Sequence, residues 1–139
     1  GNAAGLCVAT GCRLHLVHPP GFRTDESAGR RAGRDYWNLV DVVEHASWSA
    51  FETAQPPAAR RFLFSGKAKQ SFLDVRFTLG DVLVFGKEST GLDEALLDAH
   101  PEQVVGIPTL GEVRSLNLAN SVALAVYEAL RQNDCLKVI

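Results

Sequence analysis

Short apolar runs alternate along this chain with stretches of helical character, and that alternation limits the fold more than any other feature of the 139 residues. Leu14-His15-Leu16-Val17, Leu39 to Val43, Phe62-Leu63-Phe64, Val82 to Phe85 and Val104 to Ile107 have the length and apolar content of strands. Between them, residues 3 to 10 are compatible with a short helix, and Ser47 caps a helix through Thr53. Asp93 begins another that reaches Ala99, and the last covers Leu118 to Gln132. Pro19-Pro20-Gly21 makes a turn, and Pro56-Pro57 breaks the chain before Phe62. Strands and helices in this order predict an α/β fold, a mostly parallel sheet flanked by helices. The length suits a single domain over residues 1–139, with no repeat, low-complexity stretch or linker. General folding rules would build an ordinary unknotted, doubly wound sheet from this pattern.

Composition narrows the functional classes. At 46% hydrophobic and 22% charged the chain is ordinarily globular. No apolar run approaches the roughly 20 residues of a membrane span. Sixteen acidic against fourteen basic residues give a net charge of −2, so nucleic-acid contact has to be local rather than spread over a basic surface. The candidates for phosphate contact are Arg30, Arg31, Arg34, Arg60, Arg61, Lys67 and Lys69. Cys7, Cys12 and Cys135 form neither an even disulfide framework nor a Cys-x-x-Cys metal spacing. That usage suits reduced thiols in a cytoplasmic protein. His15, His18, His45 and His100 show no metal spacing either, so no metal site and no catalytic histidine is expected.

Two segments carry chemistry. The run Val82 to Phe85 ends in Gly86-Lys87-Glu88-Ser89-Thr90-Gly91-Leu92, where glycines bracket a carboxylate at the C-terminal edge of a strand. Ligands of open α/β sheets bind at that edge, and glycine permits close backbone approach. Further on, Ile107-Pro108-Thr109-Leu110 leads to Arg114-Ser115-Leu116-Asn117-Leu118-Ala119-Asn120 and directly into the amphipathic stretch Ser121 to Gln132. Two amides and an arginine thus stand where a helix begins, beside its unpaired N–H groups. For Asn117 and Asn120 ordinary helix capping is an equally direct use of the side chain. For Phe64 and Ile107 it is packing at a strand end. Glu88 is placed to hold its loop by accepting backbone N–H bonds, a role at least as natural as acid/base chemistry.

The two segments resemble the second and third motifs of the SpoU (TrmH-like) branch of the SPOUT RNA methyltransferases: Phe85-Gly86-x-Glu88-x-x-Gly91-Leu92, then Ile107-Pro108 with Arg114-Ser115-Leu116-Asn117-Leu118-x-Asn120. Gly1-Asn2 matches part of the first motif. The likeness extends through Thr10-Gly11-Cys12-Arg13-Leu14-His15-Leu16 and Arg30-Arg31-Ala32-Gly33-x-Asp35-Tyr36, and is strongest to the small single-domain subgroup that methylates the 2′-hydroxyl of the tRNA wobble nucleotide. It implies a C-terminal deep trefoil knot, a homodimer built partly on the final helix, S-adenosyl-L-methionine as methyl donor, and the tRNA anticodon loop as partner. It also implies a first strand ahead of motif one, which a chain that starts at Gly1 and contains no Met does not include. On the matching positions, Phe64, Gly86, Ile107, Ser115, Leu116 and Asn120 would hold the cofactor, largely through backbone groups. Arg114, Asn117, Asn2 and Glu88 would serve the reacting ribose.

One position departs from the motif. Where the family carries an arginine three residues after the motif-one asparagine, this chain has Gly5, which makes Arg114 the candidate cation beside the ribose. At this point a methyltransferase acting on ribosomal RNA or another tRNA position, and a non-catalytic RNA- or cofactor-binding paralogue, stay open. A dinucleotide-dependent oxidoreductase is disfavoured, because no Gly-x-Gly-x-x-Gly follows a strand with an acidic residue about twenty positions on.

Overall fold

The computed structural model describes residues 2–18, 39–113 and 116–138. By contacts the chain divides into two compact units, Gly1–Pro57 and Ala58–Ile139. Both are α/β, and among the described residues every strand pairing is parallel.

In the first unit, helix α1 (Asn2–Thr10) is followed by β1 (Leu14–Val17), β2 (Val42–His45) and helix α2 (Trp48–Ala54). The turn expected at Pro19-Pro20-Gly21 lies outside the described residues. Strand β2 runs later than the Leu39 to Val43 expected from apolar content. The ladder starts where the Leu14 N–H donates to the Asp41 carbonyl, and it aligns Leu14 with Val42 and Val17 with His45. Leu39 is left 73% exposed. Glu44 and His45 belong to the strand despite their polarity, because both find polar neighbours on the strand beside them or just past its end, His18 and His15 respectively. Ser47 caps α2 as expected, its hydroxyl accepting from the Ala50 N–H at 3.1 Å. Phe51 of that helix is 2% exposed.

In the second unit, β3 (Arg61–Phe64), β4 (Val82–Val84) and β5 (Val104–Val105) form a sheet in the order β4-β3-β5. Helix α3 (Glu94–Ala99) precedes β5, and helix α4 (Leu118–Gln132) ends the unit. The bounds of α4 are those expected. Strands β4 and β5 are shorter than their apolar runs. Phe85 leaves the ladder and stacks on Phe64 at 4.6 Å between ring centroids. Gly106 turns away to pair with the segment around Ser71, its N–H donating to the Gln70 carbonyl and its carbonyl accepting from the Phe72 N–H. The core joins Phe62, Phe64, Phe72, Phe77 and Val105 to Ala125 of α4, with Phe85, Ile107 and Ala129 packed against it. Alanine at 125 and 129 lets the helix backbone lie close on the sheet.

The C-terminal end of α4 is tied down by amides. Gln132 accepts from the Phe77 N–H at 2.7 Å and donates to the Val75 carbonyl at 2.9 Å, and Asn133 donates to the Phe77 carbonyl at 3.1 Å. Gln132 also donates to Glu128, whose carboxyl is held down to about 2 by hydrogen bonds from Arg131 and then Gln132. Two side chains thus supply Phe77 with the backbone partners that a neighbouring strand would otherwise give. Removing one strands partly buried polar groups, a loss of about 1–3 kcal/mol. Gln132→Ala is expected to lower unfolding stability by about that amount in denaturant titrations. Gln132→Glu, which loses both donors and faces Glu128 with a like charge, should be worse than Ala at neutral pH. Equal stability of wild type and Gln132→Ala would remove the clamp from the account.

Candidate active site

Because β4, β3 and β5 are parallel, their C-terminal ends lie along one edge of the second unit. The strand order also reverses about β3. A crevice outside the carboxyl ends at such a reversal is where open α/β sheets bind ligands. The loops leaving there begin at Ser65, Phe85 and Gly106.

The loop after β4 closes on itself. The Gly91 N–H donates to the Lys87 carbonyl at 2.8 Å, and Gly91 takes φ 71, the left-handed region. A β-carbon on Gly86 would overlap the Gly91 carbonyl carbon and the Leu92 nitrogen. The close approach that requires glycine at 86 is therefore to its own loop. Glu88 is exposed at the turn. The backbone N–H bonds expected to hold its carboxylate are absent among the described residues, and the turn is closed by main chain instead.

The loop after β3 is held by Ser65, whose hydroxyl accepts from the Lys67 N–H and whose carbonyl accepts from the Ala68 N–H. It lies against the start of the β5 loop, since a β-carbon on Gly106 would meet Ala68 and the Ser65 carbonyl at 3.1 Å. Phe64 is 8% exposed, with its ring between Phe85 and Phe72. Ile107 is half-buried against the core, whereas Leu116 is 41% exposed.

Asn117 caps α4: its Oδ1 accepts from the Ala119 N–H at 2.8 Å and the Asn120 N–H at 3.4 Å. Capping consumes the acceptor and leaves the Nδ2 donors for another partner. Asn120 is exposed in the first turn. Arg114 and Ser115 lie outside the described residues. Asn2 opens α1 in the first unit. Gly5 sits inside that helix, and a β-carbon added to it would have nothing within 4 Å, so packing does not demand glycine there.

Of the cations proposed for phosphate, Arg60 is engaged within the fold. Its fork holds Asp81 at 2.7 and 3.0 Å and also reaches the Arg76 carbonyl and Thr78 hydroxyl. Lys67 pairs with Glu94 at the start of α3, and Arg61 is half-buried with a bond to the Ala59 carbonyl. Lys69 is exposed. Arg30, Arg31 and Arg34 lie outside the described residues. Pairing of this kind depends on strand register, which composition does not reveal.

Sequence reasoning also missed a histidine pair in the first unit. His15 stands one step diagonally from His45 on the same sheet face, with Nδ1 of the first 2.9 Å from Nε2 of the second. Phe51 meets both rings edge-on at 5.2 Å. Burial first, then His45 and Arg13, push the His15 imidazole below its ordinary value, with Asp41 opposing. A spacing of thirty residues gave no sign of this; the parallel register creates it. Among the described residues no group of three or more His, Cys, Asp or Glu side chains is placed to hold a metal ion, and no helix is long and apolar enough to cross a membrane.

Residues 1–127 match the SpoU rRNA Methylase family. A protein of Polaromonas sp. named tRNA (cytidine(34)-2′-O)-methyltransferase is 46% identical over 135 residues, which cover 96% of this chain and 82% of that protein. A solved structure concerned with 2-OH methylation of C/U34 on tRNA superposes with a TM-score of 0.84 at 45% identity, covering 96% of this chain and 86% of the other. An AdoMet-bound rRNA methyltransferase from Sinorhizobium meliloti superposes at 0.73 with 21% identity, over 94% of this chain and 51% of that one, a likeness of fold alone.

Two expectations follow. Gly86→Ala must displace the Gly91–Leu92 backbone, so its cost should reach or exceed the roughly 1–3 kcal/mol of ordinary overpacking. A Gly86→Ala protein as stable as wild type would contradict the tight turn. For His15, the unfolded chain takes up a proton near the ordinary 6.5 while the folded group resists it. Its contribution to stability is complete above that pH and is lost as pH falls through and below it. The melting temperature should therefore drop on acidification from neutrality, and His15→Asn should flatten that drop. An unchanged slope would clear His15 of the effect.

Proposed function

The chain belongs to the SpoU methylase family, and from that premise we propose that it transfers a methyl group from S-adenosyl-L-methionine to the ribose 2′-hydroxyl of wobble nucleotide 34, cytidine or uridine, in tRNA. The observation that carries the reading is the meeting of two motifs distant in sequence. Gly86 and Ile107 follow strands of one parallel sheet that end at the same edge, in a chain 46% identical to a protein named for this reaction.

The residues present fit an adenosine group. Strand-end main chain at Phe64, Gly86 and Ile107, next to the apolar side chains of Phe85 and Ile107, offers neutral hydrogen-bonding groups beside hydrophobic contact. When bound, the cofactor supplies a methyl group made electrophilic by its sulfonium. The protein's own part is to position the ribose and manage a proton. Arg114 would neutralise the nearby phosphate and favour the ionised form of the attacking hydroxyl. Asn117, its acceptor spent on the helix, would donate through Nδ2, and Asn120 would hold the cofactor side of the loop with Ser115 and Leu116. By the motif match, Asn2 and Glu88 would also serve the ribose.

The same reading extends to assembly. Leu116, Leu124 and Tyr127 leave apolar surface uncovered on and just before α4, at 41%, 46% and 44% exposure. That surface suits a second copy of the chain in a homodimer. A single domain, a trefoil knot around the motif-three segment and a cytoplasmic location belong to the reading as well. The anticodon loop suits an enzyme without an added RNA-binding module, since its bases are already unstacked.

Labelled methyl from S-adenosylmethionine should enter tRNA that lacks wobble methylation, and nuclease mapping should find it at nucleotide 34. Label at another position, or none, would overturn the reading. Arg114→Ala should abolish transfer while leaving cofactor affinity largely intact; equal loss of both would make Arg114 a pocket-building residue. Gly5→Arg, which has open space in α1 and replaces a helical glycine, should raise transfer without loss of stability.

A further inference from the structure

The end of α1 brings together two thiols that the sequence presents as separate. Gly11 takes φ 72, and the Cys12 N–H donates to the Cys7 carbonyl at 3.1 Å. A left-handed glycine just past a helix, followed by a bond reaching back five residues, is the Schellman ending. In that ending the side chains at the two bonded positions commonly pack on each other. Here the two positions are Cys7 and Cys12, so the side chains that the motif sets side by side are two thiols.

Distance allows more than contact. The Cys12 α-carbon is one bond, and the Cys7 α-carbon two bonds, from the atoms of that hydrogen bond. This keeps them near the roughly 4–7 Å window a disulfide spans. The two differ in access: Cys7 is 7% exposed, while Cys12 is half-exposed. Burial, with Cys12 close by, pushes the Cys7 thiol up, which keeps the inner sulfur protonated and leaves the outer one to meet a reagent first.

We propose that Cys7 and Cys12 form a dithiol modification site that closes to an intrachain disulfide on reaction with hydrogen peroxide. The Cys12 thiolate attacks the peroxide; a sulfur–oxygen bond forms, the oxygen–oxygen bond breaks, and the departing hydroxide takes a proton to become water. The Cys7 sulfur then displaces the hydroxyl from the Cys12 sulfenic acid, its proton leaving with that oxygen as a second water. Two thiols lose two electrons and the peroxide gains them. The product ring covers residues 7–12 and staples the end of α1 to the segment that enters β1. Cys135, exposed and in the other unit, takes no part.

The test uses the full chain carrying Cys135→Ser, treated with hydrogen peroxide, unfolded, alkylated and mapped by mass spectrometry. The expected result is loss of both remaining thiols together, a cross-linked pair lighter than the reduced form by two hydrogens, and recovery of both thiols with a dithiol reductant. In Cys7→Ala the same treatment should instead carry Cys12 to sulfinic acid. Oxidation of Cys12 alone while Cys7 still alkylates in the Cys135→Ser protein would overturn the proposal. So would a cross-link that forms only between chains.

Discussion

Parallel pairing on both sides of β3 is the constraint on which the rest of the second unit depends. A parallel neighbour cannot be reached by a tight turn, so the chain must cross over between Phe64 and Val82 and again between Val84 and Val104. Those crossovers carry α3 and the Phe72–Phe77 segment that supplies core aromatics. They also oblige all three strands to end at one edge. The motif loops share that edge because strand direction puts them there, and no contact between distant side chains is needed to assemble them. A Gly106 without a side chain then lets the loops after β3 and β5 come together.

Helix α4 is fixed at both ends by the same kind of chemistry. Asn117 closes its N-terminus, while Gln132 and Asn133 fasten its C-terminus to Val75 and Phe77. The amides divide the work: Asn117 accepts, Asn133 donates, and Gln132 does both at once, where a carboxylate could do only half. At Asn117 the acceptor and donor halves of the amide are separable. The acceptor stabilises the first turn and leaves the Nδ2 donors uncommitted among the described residues. Capping and the ligand contact proposed for Asn117 therefore do not compete for the same atom.

Much of this was legible in the sequence where a residue's role is local. The bounds of β1 and α4, and the caps at Ser47 and Asp93, follow from short-range patterning and emerge as read. The α/β class with parallel strands follows from the order of elements. What sequence could not supply depends on register and tertiary pairing. Leu39 has the composition of a strand residue and lies outside the ladder, while Glu44 and His45 look wrong for a strand and lie within it, because side chains on or just past β1 meet them. Phe85 and Ile107 belong to apolar runs but leave their strands to pack on the core. The role of Gly86 was legible only in kind: its identity signals close approach, and the neighbour approached, the Gly91–Leu92 backbone, shows only once the loop is built.

The distribution of charge bears on how a chain with net charge −2 meets a polyanion. Arg60 is committed to Asp81 and two further acceptors, and Lys67 and Arg131 have carboxylate partners. Arg60 is effectively withdrawn, since its fork is filled by a turn from Arg76 to Asp81 whose own backbone accepts from it. Lys67 differs: it and Glu94 are both 70% exposed, and a solvated pair of this kind is worth little. A phosphate arriving at the strand-end edge can therefore take Lys67 from Glu94 at small cost, whereas it would have to dismantle the turn at Arg76–Asp81 to recruit Arg60. Exchangeable cations next to the loops, rather than net charge, are the electrostatic requirement that the proposed function sets for an RNA backbone at this edge. Lys67, on the loop leaving β3, meets it.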